Sequence, residues 1–87
     1  MRESEIEKYL VKRVNDLGGE IRKVKWIGRR HAPDRRVMLT DRCMWIELKA
    51  TGEKCRPGQL REHERMRRQG ERVEVIDSLA GVDEVLS

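Results

Sequence analysis

The chain is short, basic and strongly charged. It has 87 residues, of which 41% are charged and 37% hydrophobic, with a formal net charge of +4 and no Phe. This length predicts a single domain over residues 1–87 with a small core, because short chains bury a smaller share of their surface. The basic excess favours a polyanionic partner such as nucleic acid over an acidic one. There is no signal peptide and no apolar run near the ~18 residues of a membrane span, so we expect a cytoplasmic protein without membrane contact.

Residues 2–17 predict an amphipathic first helix that ends at Gly18-Gly19. Its apolar stripe at 100° per residue comprises Ile6, Leu10, Val14 and Leu17. Glu7 falls inside this stripe, and Glu3 lies one turn earlier. A carboxylate on a packing face needs a partner, so both acids are candidates for a functional site. Alternatively, Glu3 simply lies at a frayed helix end, where an acid suits the helix dipole.

Three β-prone segments follow at residues 20–27, 36–40 and 43–50. The short link Asp41-Arg42 predicts that the second and third form an antiparallel hairpin. A basic loop with glycine and proline punctuation, Gly28–Pro33, joins the first two segments. The third segment opens with a cysteine in an apolar run, for which a buried thiol is the ordinary interpretation.

The second half of the chain adds two helices and one strand. Pro57 opens a second helix that Gly70 closes. Its thin packing stripe comprises Leu60, His63 and Met66. Residues 71–76 form a fourth strand, and Ser78 caps a short final helix. The order predicts an α/β fold in which helices flank a four-stranded mixed sheet.

The strongest indication of chemistry is an aspartate before the hairpin and a Glu-x-Lys on its second strand. Side chains alternate along a strand, so Glu47 and Lys49 share one face, and the hairpin brings Asp34 towards them. Asp34 and Glu47 supply the hard oxygens that Mg²⁺ or Mn²⁺ prefers. The main-chain carbonyl of Leu48 and the carboxylate of Glu7 can complete the ligand shell. This pattern predicts metal-assisted phosphodiester hydrolysis, with Lys49 acting on the attacking water.

A structural ion pair between Glu47 and Lys49 is the alternative interpretation of the same residues. Such pairs gain little stability on an exposed strand face. The basic loop before Asp34 and the inward acids of the first helix therefore favour the catalytic interpretation.

The chain resembles the VRR-NUC domain of the PD-(D/E)xK nuclease superfamily over essentially its whole length. The matching segments are Pro33-Asp34, Trp45-Ile46-Glu47-Leu48-Lys49 and Pro57-Gly58-Gln59-Leu60. The resemblance implies a restriction-endonuclease-like core of order αβββαβ(α). It also implies that Asp34 and Glu47 are metal ligands, with Lys49 the catalytic lysine and Gln59 a supporting residue. The chain departs from the pattern at His31-Ala32, where many members have a glycine before Pro-Asp.

The resemblance further implies one acid from the first helix, either Glu7 or Glu3. We favour Glu7 because it lies deeper in the helix. The basic residues that we expect to hold DNA phosphates are Lys25, Arg29, Arg30 and Arg35. Contacts of this kind position DNA without reading its sequence.

These observations together predict a Mg²⁺- or Mn²⁺-dependent, structure-specific DNA endonuclease. Small stand-alone family members resemble homodimeric Holliday-junction resolvases of phage or bacterial cells, so we expect a homodimer acting on branched DNA. Hydrolysis should leave a 5′-phosphate and a 3′-hydroxyl. The alternatives are a flap or single-strand nuclease that works with a helicase, a catalytically inactive DNA-binding module, and a small structural or interaction protein, which would show no salt-dependent DNA affinity.

Overall fold

The computed structural model describes all 87 residues, Met1–Ser87. Its elements are α1 (Glu3–Asp16), β1 (Glu20–Lys23), β2 (Arg35–Met38), β3 (Cys43–Leu48), α2 (Pro57–Arg68), β4 (Val73–Ile76) and α3 (Leu79–Leu86). This is the predicted element order. Ser78 caps α3 as expected, since its side chain accepts a hydrogen bond from the main-chain N–H of Gly81.

The four strands form one mixed sheet in the order β1-β2-β3-β4. The first three strands are antiparallel neighbours, and β4 runs parallel to β3. The parallel pair follows from the connection, because a strand that returns through a helix re-enters the sheet in the same direction. The predicted α/β fold is therefore confirmed.

The hydrophobic core lies on one face of the sheet. Helices α1 and α3 pack there through Ile6, Leu10, Val14, Val82 and Leu86, and the sheet contributes Val37, Met44, Ile46, Leu48 and Ile76. Alternation along β3 sends Glu47 to the opposite face, towards α2. The separation of Ile46 and Leu48 from Glu47 and Lys49 is as the sequence predicted. None of the three helices has both the length and the apolar run needed to cross a membrane.

Several strand ends and side chains differ from the sequence prediction. Strand β1 stops at Lys23, and Ile27 lies fully exposed in the loop that follows. Leu17 caps the end of α1 and is exposed, because the chain turns away from the core there. Leu60 is also exposed and does not belong to the packing stripe of α2. The thiol of Cys43 is exposed because β3 begins at the rim of the sheet.

Candidate active site

Asp34 lies one residue before β2, at the end of β3 that carries Glu47. Its Oδ2 accepts a hydrogen bond of 2.8 Å from the main-chain N–H of Leu48. Its main-chain carbonyl accepts a bond of 2.9 Å from the N–H of Val24, and the preceding Pro33 is fully buried. The hairpin therefore brings Asp34 to the end of β3, as predicted.

Glu47 is buried on the α2 face of the sheet, with only 3% of its surface exposed. Its Oε2 accepts a hydrogen bond of 3.2 Å from Nε2 of Gln59 and lies 3.6 Å from Nζ of Lys49. Its Oε1 is buried without a hydrogen-bond partner. Burial, followed by the neighbouring Asp34 carboxylate, raises the pKa of Glu47 to about 7.

Gln59 connects the lysine and the glutamate to the start of α2. While its Nε2 donates to Glu47, its Oε1 accepts a bond of 3.1 Å from Nζ of Lys49. The same oxygen accepts a bond of 2.8 Å from the main-chain N–H of Arg56, which precedes the helix. This last bond satisfies a donor that the helix start leaves free, and it fixes the amide in place.

The first-helix acids do not join this group. The carboxylate of Glu7 forms an ion pair with Arg35, and Glu3 is exposed. Arg35 Nη1 in turn donates a 2.9 Å bond to the main-chain oxygen of Asp34. Arg35 shares the α1 face of β2 with Val37, whereas Glu47 is bonded to Gln59 of α2. No three His, Cys, Asp or Glu side chains come together as a metal-binding group.

The pair of carboxylates nevertheless fits a hard divalent cation. Asp34 lies close enough to Glu47 for its charge to raise the pKa of the Glu47 carboxylate. The buried Oε1 of Glu47, which has no hydrogen-bond partner, also suits coordination of a cation. Carboxylate oxygens are the ligands that Mg²⁺ and Mn²⁺ prefer.

A basic cavity of about 450 Å³ adjoins the start of α2. Its polar and aromatic lining consists of Lys25, Trp26, Arg29, Arg30, His31 and Arg56. Three of the four basic residues expected to bind phosphate are thus brought together, and the fourth, Arg35, is paired with Glu7 instead.

The loop that carries this cavity is docked on α2 by two contacts. Arg29 Nη2 donates a 2.7 Å bond to Oε1 of Glu62, a buried residue of α2. His31 adopts a left-handed conformation with φ of 71°, and its ring lies over Gly58. A Cβ at position 58 would come within 2.5 Å of Nε2 of His31, so any side chain there would have to displace the His31 ring. His31, where the chain departs from the pattern of the family that it resembles, therefore packs against α2, the helix that holds Gln59.

The sequence did not single out two buried polar residues of α2. Glu62 is 4% exposed and His63 is fully buried. Nε2 of His63 lies 4.0 Å from Oε1 of Glu47. The only sequence signal for His63 was its place in the packing stripe, and for Glu62 there was none.

The chain is similar to two known proteins, although no protein-family model matches it. The chain is 47% identical over 79 residues to "Putative nuclease p44" of Acyrthosiphon pisum secondary endosymbiont phage 1, a match that covers 90% of this chain and 85% of the phage protein. It is also similar to a solved structure described as "VRR_NUC domain", with a TM-score of 0.88 and 38% identity over 97% of this chain and 92% of that one.

Proposed function

Because the chain belongs to the VRR-NUC family of nucleases, we propose that it is a Mg²⁺- or Mn²⁺-dependent DNA endonuclease. We infer further that it acts as a homodimer on branched DNA such as Holliday junctions, inside a phage-infected or bacterial cell. The observation that carries the proposal is the buried carboxylate of Glu47, which lies beside Asp34 and has one oxygen without a partner. Ionising the buried Glu47 beside the partly exposed Asp34 is costly, and a bound cation offsets that cost.

The proposed ligands of the cation are the carboxylates of Asp34 and Glu47, with the main-chain carbonyl of Leu48. Glu7 would join them only after leaving Arg35, and Glu3 is the other candidate for the first-helix acid. When bound, a divalent cation lowers the pKa of water and stabilises the charge that builds on the scissile phosphate.

Lys49 and Gln59 have complementary roles in this proposal. Nζ of Lys49 is held 3.1 Å from Oε1 of Gln59 and 3.6 Å from Oε2 of Glu47, so its remaining protons can point to a phosphate oxygen or to the attacking water. Gln59 keeps the rotamers of both Lys49 and Glu47 fixed from one rigid position on α2. Such preorganisation saves the cost of arranging these groups during the reaction. The expected products carry a 5′-phosphate and a 3′-hydroxyl.

The DNA backbone is proposed to follow the basic cavity beside the site. Lys25 and Arg30 line it without an acidic partner, which leaves their charge available to phosphates. Arg29 is paired with Glu62 and Arg35 with Glu7, so each of these would contact DNA from an anchored position. Phosphate contacts position a duplex without selecting its sequence, as expected of a structure-specific enzyme.

The homodimer is supported by the small core and by an apolar surface at the edge of the sheet. Only 16 of the 87 residues are buried. Leu60 and Val75 are exposed and line a shallow, mainly apolar groove beside β4, the edge strand. A second copy that covers this groove would add the apolar burial that a short chain lacks.

The experiment compares cleavage of a four-way junction, a flap and a linear duplex, with Mg²⁺, Mn²⁺ or EDTA. We expect metal-dependent cutting of the junction above the other two. Lys49→Ala and Asp34→Asn should abolish cutting, whereas the control Lys8→Ala, at an exposed lysine of α1, should not. Equal cutting of all three substrates contradicts the junction preference. Preferred cutting of the flap supports the helicase-associated alternative, and no cutting with Mn²⁺ supports a non-catalytic DNA-binding module.

A further inference from the structure

His63 is a buried polar side chain for which the proposed mechanism has no role. It is fully buried in α2, and neither ring nitrogen has a hydrogen-bond partner. Nearly all buried polar groups are hydrogen-bonded, so an exception requires a specific explanation. Oε1 of Glu47, 4.0 Å from Nε2 of His63, is a second such exception. The two unpartnered atoms are therefore neighbours.

The position of His63 on α2 matches that of Gln59. The two residues are four apart, so they lie one above the other on the same face of the helix. Gln59 donates to Oε2 of Glu47, and His63 lies next to Oε1. The helix thus presents one potential donor to each oxygen of the same buried carboxylate.

We propose that His63 is a positioning residue that donates a hydrogen bond from Nε2 to Oε1 of Glu47 when Glu47 holds the divalent cation. The inference rests on the proposed function. The observed 4.0 Å separation exceeds a hydrogen bond by about 1 Å, so the bond requires the His63 ring to move towards Glu47. Carboxylates that ligate metals are commonly hydrogen-bonded by a second residue, which fixes their orientation.

Burial, followed by the charge of Arg67, lowers the pKa of His63. A neutral donor can bind a carboxylate without competing with the cation for its charge. Lys49, by contrast, brings a positive charge to the same carboxylate.

The test measures Mn²⁺ affinity of the full chain by isothermal titration calorimetry, together with DNA cleavage. We expect His63→Leu, which keeps the apolar packing but removes the donor, to weaken Mn²⁺ binding by about 10- to 100-fold. His63→Gln should restore most of the affinity, because its amide nitrogen reaches the place of Nε2. If the Leu variant does not fold, His63→Asn replaces it, since the shorter amide cannot reach Glu47 and should bind Mn²⁺ as weakly.

Met66→Ala is the matched control for packing. Met66 is buried on the same helix, one turn beyond His63, and has no polar contact with the site. The control should lower the melting temperature without changing Mn²⁺ affinity. Equal Mn²⁺ affinity of wild type and the donor-free variants overturns the role of His63 while the nuclease proposal stands. A wild-type protein that neither binds Mn²⁺ nor cuts DNA overturns both.

Discussion

Opposing effects act on the ionisation of the buried Glu47 carboxylate. Burial and Asp34 favour its protonated form, whereas Lys49 favours the ionised form. Since Gln59 donates to one of its oxygens, the carboxylate is held in place even while its charge is poorly compensated. The residue is therefore preorganised at a cost in stability, which is a usual compromise at functional sites.

The raised pKa of Glu47 predicts that the metal-free protein loses stability as the pH rises. Between the ordinary value of 4.5 and about 7, the folded protein binds a proton that the unfolded chain has already lost. The free energy of unfolding therefore falls across this window and levels off above it. Thermal melts in EDTA from about pH 5 to about pH 8 should show the decrease. Glu47→Gln, which cannot ionise, should flatten the profile, and an equally flat wild-type profile would contradict the prediction.

Gln59→Ala should affect catalysis more than stability. The variant removes the bonds to Lys49 and Glu47 and frees the N–H of Arg56 at the start of α2. We expect kcat to fall by about 10- to 100-fold, as for other residues that orient ligands, and stability to fall by about 1 kcal/mol. Steady-state kinetics and urea unfolding measure the two effects. Gln69→Ala, at the far end of the same helix, is the control and should leave kcat unchanged.

Among the secondary-structure elements, α2 is attached to the basic loop that precedes β2, because Glu62 of α2 binds Arg29 of the loop. Glu62 is buried and also accepts a 2.8 Å bond from Arg65, while the pairing holds its pKa below the ordinary value. The loop that ends at Asp34 is thereby attached to the helix that begins near Gln59. Loosening this contact should disturb the carboxylate pair indirectly.

A double-mutant cycle tests this attachment. We expect Glu62→Gln and Arg29→Ala each to destabilise the protein, and the double variant to be less destabilised than their sum. The coupling should be about 0.5–1 kcal/mol, because the Arg29 side chain is 55% exposed and water weakens the pair. Urea unfolding provides the values. A parallel cycle of Glu62 with Arg61, an exposed residue of the same helix without a bond to Glu62, should give a coupling near zero.

The sequence predicts the elements and the strand faces well because these depend on local periodicity. Alternation along β3 separates Ile46 from Glu47, and the hairpin brings Asp34 to the end of β3 at Leu48; both are confirmed. The proximity of Lys49 to the pair follows from the same alternation. Predicting these features required only the alternation of side chains along a strand and the length of the hairpin turn.

The sequence does not predict which partner meets each charged side chain across elements. Helical periodicity indicated that Glu7 faces inwards, but it contained no information that Arg35 lies opposite. Burial of Glu62 depends on Arg29, which comes from a loop 33 residues away in the chain. The same holds for His63, whose neighbour Glu47 belongs to another element. Tertiary packing determines contacts of this kind, and local sequence patterns do not predict them.

Over the whole molecule, acidic and basic side chains are interspersed. The basic cavity brings together basic side chains that have no acidic partner. The net charge is only +4, so general attraction to DNA is modest. Lys25, Arg30 and Arg56 line one cavity and have no ion pair, whereas many other arginines are paired. DNA binding should therefore depend on this local group more than on total charge.

The salt dependence of DNA binding tests this view. Each phosphate contact releases counterions, so removing one contact should reduce the slope of log K against log[salt] by about 1. We expect this change for Arg30→Ala, measured by fluorescence anisotropy in EDTA to prevent cleavage. Lys8→Ala, which removes the same charge from the exposed side of α1, should leave the slope nearly unchanged. If both variants lower the slope equally, net charge rather than the cavity governs binding, and the proposed path of the DNA backbone is wrong.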